Sequence, residues 1–438
     1  MKRLALSIAV ALTALTTPAH ALPAEIEQAV TAVTPRMIAW RRDIHQHPEL
    51  GNRETRTAAL VARHLRSLRL DEVRTGVART GVVGILRGGR PGPIIALRAD
   101  MDALPVTEQV DVPFKSTVRT TYNGQDVGVM HACGHDTHVA IMMAAAEVLA
   151  RRRAELAGTV MFIFQPAEEG PPFGEEGGAE LMLKEGLFNP PMRPEAVFAL
   201  HATNRESGRI YTRTEGLLAG SERIRILVKG RQTHAARPHE GIDPITIAGQ
   251  ILTGLQTIPS RQMNAVEQPV VISIGRINGG IRHNIIPPEV EMMGTMRVLD
   301  EGIRDDIHAR ITRMASEIAA ASGAEAEVSF HEPNPVTVNE RVATRRGMQA
   351  VRAALGDDAV VEIPPIMGAE DFSFFAREVP GFFFFFGVNA PGVADAPPNH
   401  SPLFSVYEPG LQTGLKAMLA VALDRLSVPA GAAASGTP

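Results

Sequence analysis

Three largely apolar runs of strand length each lead into ionisable residues. IIALRA runs into Asp100 and Asp102, VMFIFQPA into Glu168 and Glu169, and AVFAL into His201. Near-continuous apolar runs mark strands buried on both faces, as in a parallel sheet covered by helices. In such a sheet ligands bind in the crevice beyond the carboxyl ends of the strands. The pattern therefore predicts an α/β chain with a mostly parallel central sheet and a charged site along one edge of it.

The flanking segments fit that frame. Residues 25–42 and 54–68 read as helices, 82–87 and 93–99 as strands, and 158–165 and 196–200 as buried strands. Cys133 and Gly134 fall in a loop, followed by a helix over 136–153 with Asp136 as its N-cap. After residue 211 the pattern changes. Strand 222–229, helix 243–257, strands 270–277 and 289–298, helix 301–321 and strand 324–331 follow in the order β-α-β-β-α-β, the ferredoxin-like unit. At 438 residues the chain is long for a single core. The predicted organisation is a discontinuous catalytic domain, 22–212 and 331–427, with an inserted lid or dimerisation domain at 213–330. The five consecutive phenylalanines within 379–388 are of strand length and read as buried core rather than membrane.

The two ends read differently. Residues 1–21 carry Lys2 and Arg3, an apolar stretch and a small-x-small site at Ala19-His20-Ala21, the pattern of a cleaved secretory signal. Export to a periplasm or beyond the cell follows as an expectation, with no membrane attachment after cleavage. Cleavage moves the formal charge from −4 to −6. That charge gives no footprint for nucleic acid. Residues 428–438 (VPAGAAASGTP) are small and read as a disordered tail.

Cys133 is the one cysteine of the chain, so no internal disulfide is available. Cys133-Gly134-His135 sets a thiol and an imidazole two residues apart, with a glycine permitting a tight backbone. Thiolate, imidazole and carboxylate together suit zinc, then manganese, cobalt or nickel. Glu168 and Glu169 are adjacent, so their side chains diverge and need not share a task. One can bind metal while the other faces a reacting water, the pairing that metal-assisted amide hydrolysis requires. His234 lies in a marked loop after a strand, Asn284 in a Gly/Pro-bounded loop, Arg297 at a strand end, and His400 before the final helix. His45, His47, His131, His138, His239 and His283 read as structural or exposed.

At these residues the chain resembles the aminoacylase/carboxypeptidase family of metallopeptidases, family 20 of clan MH. The resemblance is strongest to the hippurate hydrolases, N-acyl-amino-acid amidohydrolases and auxin-conjugate hydrolases. It is carried by RRDIHQHPELGNRE, LRADMDALPVTE, MHACGHDTHVA, FIFQPAEEG, THAARPHEGIDP, HNIIPPEVEMMGTMR, MGAEDFSFF and NHSPLF. It implies a zinc-exopeptidase-like fold with two divalent metal ions. Cys133 would bridge them, His135 and His201 completing one site, Glu169 and His400 the other. Glu168 would be the general base, Asp102 a carboxylate behind the site, and His234 an oxyanion stabiliser reaching across a dimer in many relatives. Asn284 and Arg297 would contact the substrate carbonyl and carboxylate. Hydrolysis of N-acyl-L-amino acids follows as the expected activity, with short peptides as the alternative substrate. A homodimer or higher oligomer is the expected assembly. The segment ATNRESGRI after His201 departs from the family's pattern.

Two other classes compete. A cysteine hydrolase with Cys133 as nucleophile leaves Glu168, Glu169, His201 and His400 without a task. A non-catalytic binding module has no use for a complete set of ligands and base.

Overall fold

A computed structural model describes residues 22–427 except Phe173 and Ala394. The signal-peptide and tail readings, at 1–21 and 428–438, lie outside the described residues. Along the chain β1 (Glu72–Val77), β2 (Gly81–Arg87), β3 (Arg90–Asp100), β4 (Ala157–Gln165), β5 (Ala196–Glu206) and β6 (Ile210–Thr212) come first. Next are β7 (Gly220–Lys229), β8 (Val270–Gly279), β9 (Glu289–Val298) and β10 (Glu325–Asn334), and the chain returns through β11 (Val360–Glu362) and β12 (Gly381–Asn389). The main helices are α1 (Ala24–Gln46), α2 (Thr55–Ser67), α3 (His135–Arg151), α4 (Pro244–Leu255), α5 (Arg304–Ala321), α6 (Arg341–Leu355) and α7 (Leu411–Leu426).

The central sheet has eight strands in the order β1-β2-β4-β3-β5-β12-β6-β11. It is mixed but mostly parallel. β4, β3, β5 and β12 run parallel to one another, as do β6 and β11, while β1, β2 and the β12–β6 contact are antiparallel. The phenylalanine run forms β12, buried at every position and central in the sheet. The two-residue period of a strand splits the run between two cores. Phe382, Phe384 and Phe386 join the core beneath α1, α3 and α7, whereas Phe383 and Phe385 join the one beneath helices Gly178–Lys184 and Phe372–Glu378. Helix α3 is buried from His135 through Leu149, and its stretch 139–146 is apolar on every side, as a helix enclosed by the core must be.

A second sheet, in the order β8-β9-β7-β10, is wholly antiparallel and ferredoxin-like. Its β7 alternates buried and half-buried positions, and α4 and α5 close a separate core over one face.

Two local expectations fail. Strand β5 does not stop before His201 but continues to Glu206, because its partner β12 pairs onward with it, Phe385 opposite His201. Helix α3 starts at His135 with Gly134 in the cap position, and Asp136 makes no cap. Its carboxylate is instead drawn inward by Arg41 (2.7 Å) and His45 (2.9 Å), since a buried carboxylate gains more from two cationic or donor partners than from a backbone amide. Among the described residues no helix is long and apolar enough to cross a membrane.

Candidate metal centre

Parallel register brings the site together. Asp100, the last residue of β3, pairs with Gln165, the last of β4, so the turn carrying Glu168 and Glu169 starts beside Asp102. On the other side Arg98 pairs with Ala199, which puts His201 level with the end of β3. Gly134, at φ +88°, bends the chain so that Cys133 and His135 face this edge. A side chain at Gly134 would lie 2.7 Å from the Ala202 Cβ.

Backbone carbonyls orient the two buried imidazoles. His135 Nδ1 lies 2.8 Å from the Asp102 carbonyl oxygen and His201 Nδ1 2.7 Å from that of Ala202. A carbonyl can only accept, so Nδ1 carries the proton in both rings and each Nε2 lone pair is left free. His201 Nε2 is then 3.4 Å from Cys133 Sγ. From the far end of the chain His400 Nε2 comes within 3.3 Å of the same sulfur and 3.2 Å of Glu169 Oε1. Cys133, His135 and His201 thus form one compact set of donors, and Cys133, Glu169 and His400 another, with the thiol shared.

These sets fit divalent cations. His135 Nε2 is buried without a hydrogen-bond partner, and it faces Glu169 Oε1 at 3.9 Å, a buried oxygen whose neighbour His400 Nε2 at 3.2 Å is not aligned for a hydrogen bond. Buried polar atoms in folded proteins are almost always satisfied, and cations held by the two sets, one at His135 and one at Glu169, would satisfy both. Burial, then the Glu169 carboxylate, push the Cys133 thiol up, and a cation beside the sulfur reverses that balance in favour of thiolate. Burial also raises Glu169, yet His400 and His135 beside it outweigh burial and hold it below the usual range. His400 is pushed up to about 10 by its contacts with Cys133 and Glu169.

Glu168 stands apart from both thiol-sharing sets, with Oε2 3.8 Å from His135 Nε2. Burial, then the carboxylates of Glu370, Glu169 and Asp371, push it well above the usual range. A carboxylate so placed holds a proton readily, which suits a group that must take one up and release it. Asp102 lies behind the site, where its Oδ2 accepts the Glu169 backbone N–H at 3.0 Å and its Oδ1 is 3.3 Å from His135 Nδ1.

The remaining expected residues are not drawn into this cluster. His234 is exposed on a short strand pairing with Ile285, and the Ala235 N–H donates to the Asn284 carbonyl at 3.1 Å, so His234 and Asn284 are neighbours in the small unit. Asn284 Oδ1 is buried without a partner. Arg297 Nη1 donates to the Met367 carbonyl at 2.8 Å, across the seam between the two units.

Sequence reading missed several supports. Arg98, fully buried, donates to Gln165, Asp100, Glu370 and Asp371 at 2.7–3.0 Å. A charged residue inside an apolar strand was the available signal. Asp100 in turn holds His138 Nδ1 at 2.5 Å, and His138 Nε2 accepts the Ala202 N–H. Asn399 donates to the Cys133 and Ala202 carbonyls and lies 3.7 Å from the Cys133 sulfur. His138 and His45 are each buried against carboxylates, whereas His131 is buried with neither ring nitrogen partnered.

Comparison with protein-family models matches residues 96–424 to peptidase family M20/M25/M40. The chain is 42% identical over 390 residues to thermostable carboxypeptidase 2 of Saccharolobus solfataricus, covering 88% of this chain and 94% of that protein. It is 38% identical to N-acetylcysteine deacetylase of Bacillus subtilis, covering 86% and 93%. Among solved structures it is similar to the dinuclear metal-binding M20-family peptidase YXEP of Bacillus subtilis, with a TM-score of 0.75 and 34% identity over 90% of this chain and 99% of that one.

Proposed function

The chain belongs to peptidase family M20/M25/M40 and is a hydrolase of amide or peptide bonds; on that premise we propose that it is a two-metal amidohydrolase of N-acyl amino acids. The observation that carries the reading is the single thiol shared by two donor sets, with an acid-base carboxylate beside them but in neither. Cys133, His135 and His201 would hold one cation, and Cys133, Glu169 and His400 the other. When bound, the cations supply Lewis acidity that polarises the amide carbonyl and eases deprotonation of water. Glu168 takes the proton from the attacking water and returns it to the leaving amine. Asp102 holds the Glu169 backbone and the His135 ring in place, as carboxylates behind metal ligands do.

Arg297 would clamp the substrate carboxylate, a task that suits a planar guanidinium. His234 and Asn284 would meet the substrate carbonyl once the small unit closes, or from a second copy of the chain. The carboxypeptidase relative favours short peptides as the second substrate class, and Arg297 serves both, since each carries a carboxylate next to the scissile amide. Residues 1–21 support export before the enzyme acts.

The test is a panel of N-acyl amino acids and dipeptides assayed after chelation and after return of zinc, manganese, cobalt or nickel. Chelation is expected to abolish turnover and one or more of the metals to restore it. Cys133→Ala is expected to lower bound metal below two ions per chain. Full turnover in chelator that is lost on alkylating Cys133 would overturn the reading in favour of a thiol nucleophile.

A further inference from the structure

The segment between α1 and α2, residues 47–54, has no assigned task, yet it forms part of the floor of the site. Leu50 bridges to Ala103, and the Ala103 N–H donates to the Glu49 carbonyl at 2.8 Å, so the segment runs beside the end of β3. It also lies against the turn that carries Glu168. A Cβ on Gly51 would be 3.2 Å from Ala167 Cα and 3.0 Å from the Gly170 carbonyl oxygen.

Ala167 is the residue before Glu168, and it holds φ +52°, a left-handed conformation that a residue with a Cβ rarely adopts. Such strain persists only where the surroundings over-determine it. The restraint here is Glu54. Its Oε1 accepts the Ala167 N–H at 2.8 Å and its Oε2 accepts the Thr80 hydroxyl at 2.5 Å, with the side chain fully buried. Glu54 occupies the N-cap position of α2, where a carboxylate ordinarily serves the helix amides, but it caps nothing. Glu49 does that work instead, accepting the Arg56 and Thr57 N–H groups at 2.8 Å each. Glu54 is thereby free to reach the turn.

We propose that Glu54 is a positioning residue that clamps the strained Ala167 turn from one side, while Asp102 clamps it from the other through the Glu169 N–H, so that base and metal ligand keep their separate directions. The proposal rests on Glu168 being the base. Burial and the nearby Asp102 push Glu54 up to about 7, so a neutral isostere is accommodated at this position. Glu54→Gln retains an acceptor for Ala167 and can still pair with Thr80, whereas Glu54→Ala removes both contacts.

Hydrogen exchange of the peptide spanning residues 164–170 reads the clamp directly and does not depend on catalysis. In Glu54→Ala the exchange of that peptide is expected to rise by about tenfold or more, while peptides from β3 and α3 stay unchanged. Because sub-ångström placement governs turnover, kcat is expected to fall by about 10- to 100-fold with KM within about threefold. Glu54→Gln is expected to stay within about threefold of the parent in both readouts. Unchanged local exchange in Glu54→Ala, or equal damage in Glu54→Gln, would overturn the proposal. If Glu54→Ala does not fold, Thr80→Val tests the same clamp, and unchanged exchange of 164–170 in it would overturn the proposal as well. A wrong assignment of Glu168 would show separately, as turnover surviving in Glu168→Gln.

Discussion

Replacing Glu168 by Gln should move activity and stability in opposite directions. Glutamine keeps the size and hydrogen-bonding reach of glutamate but cannot take up a proton. A positioned general base contributes about 10²- to 10⁴-fold, or about 2.7 to 5.4 kcal/mol at 1.36 kcal/mol per decade. Turnover should fall by that factor while bound metal stays at two ions per chain, because Glu168 is outside both sets that share Cys133. Stability follows from the crowding of Glu168 against Glu370, Glu169 and Asp371. Its folded pKa is raised, so the folded state must hold a proton there or bear an unfavourable charge, and stability is lost as pH rises above the unfolded value of about 4.5. Glutamine carries no such charge, so the chelated variant should melt above the chelated parent. The assays are steady-state kinetics on an N-acyl amino acid, metal analysis, and calorimetry in chelator at pH 7. Turnover within about tenfold of the parent would remove Glu168 as the base, and a lower melting temperature for the chelated variant would refute the crowding argument.

Arg98→Met leaves the carboxylates of Asp100, Glu370 and Asp371 buried without their shared cation, and loss of one partner of a buried ion group costs about 3–5 kcal/mol. Urea denaturation checks this, and a loss under about 1 kcal/mol would show that the cluster relaxes into solvent. Gly134→Ala forces a side chain into φ +88° and to 2.7 Å from Ala202 Cβ. Left-handed backbone and overpacking together should destabilise by at least about 2 kcal/mol, with metal content reduced because Cys133 and His135 flank the bend. Normal metal content and melting temperature would contradict it.

Much of the site was legible because it is built on local pattern. An apolar run followed by charge identifies a buried strand and the edge it feeds, which is how Asp102, Glu168, Glu169 and His201 were placed at one rim. Cys133-Gly134-His135 announced a loop that needs a glycine, and the structure supplies the reason in its positive φ. The resemblance to known metallopeptidases named the candidate ligands. It could not show that the three small-unit residues lie away from the cluster within one chain.

What the amino-acid order determined by itself is the set of strands and helices and the chemistry arriving at their ends, because hydrophobic period and backbone preference act over a few residues. The tertiary structure alone decided which distant groups meet. His400 reaches a thiol 267 positions away, and Arg98 ties together carboxylates 272 and 273 positions away. Glu54 clamps a turn that no pattern near it foretells. Those encounters depend on sheet register and on the competition of buried polar groups for partners, and both exist only once the chain has folded.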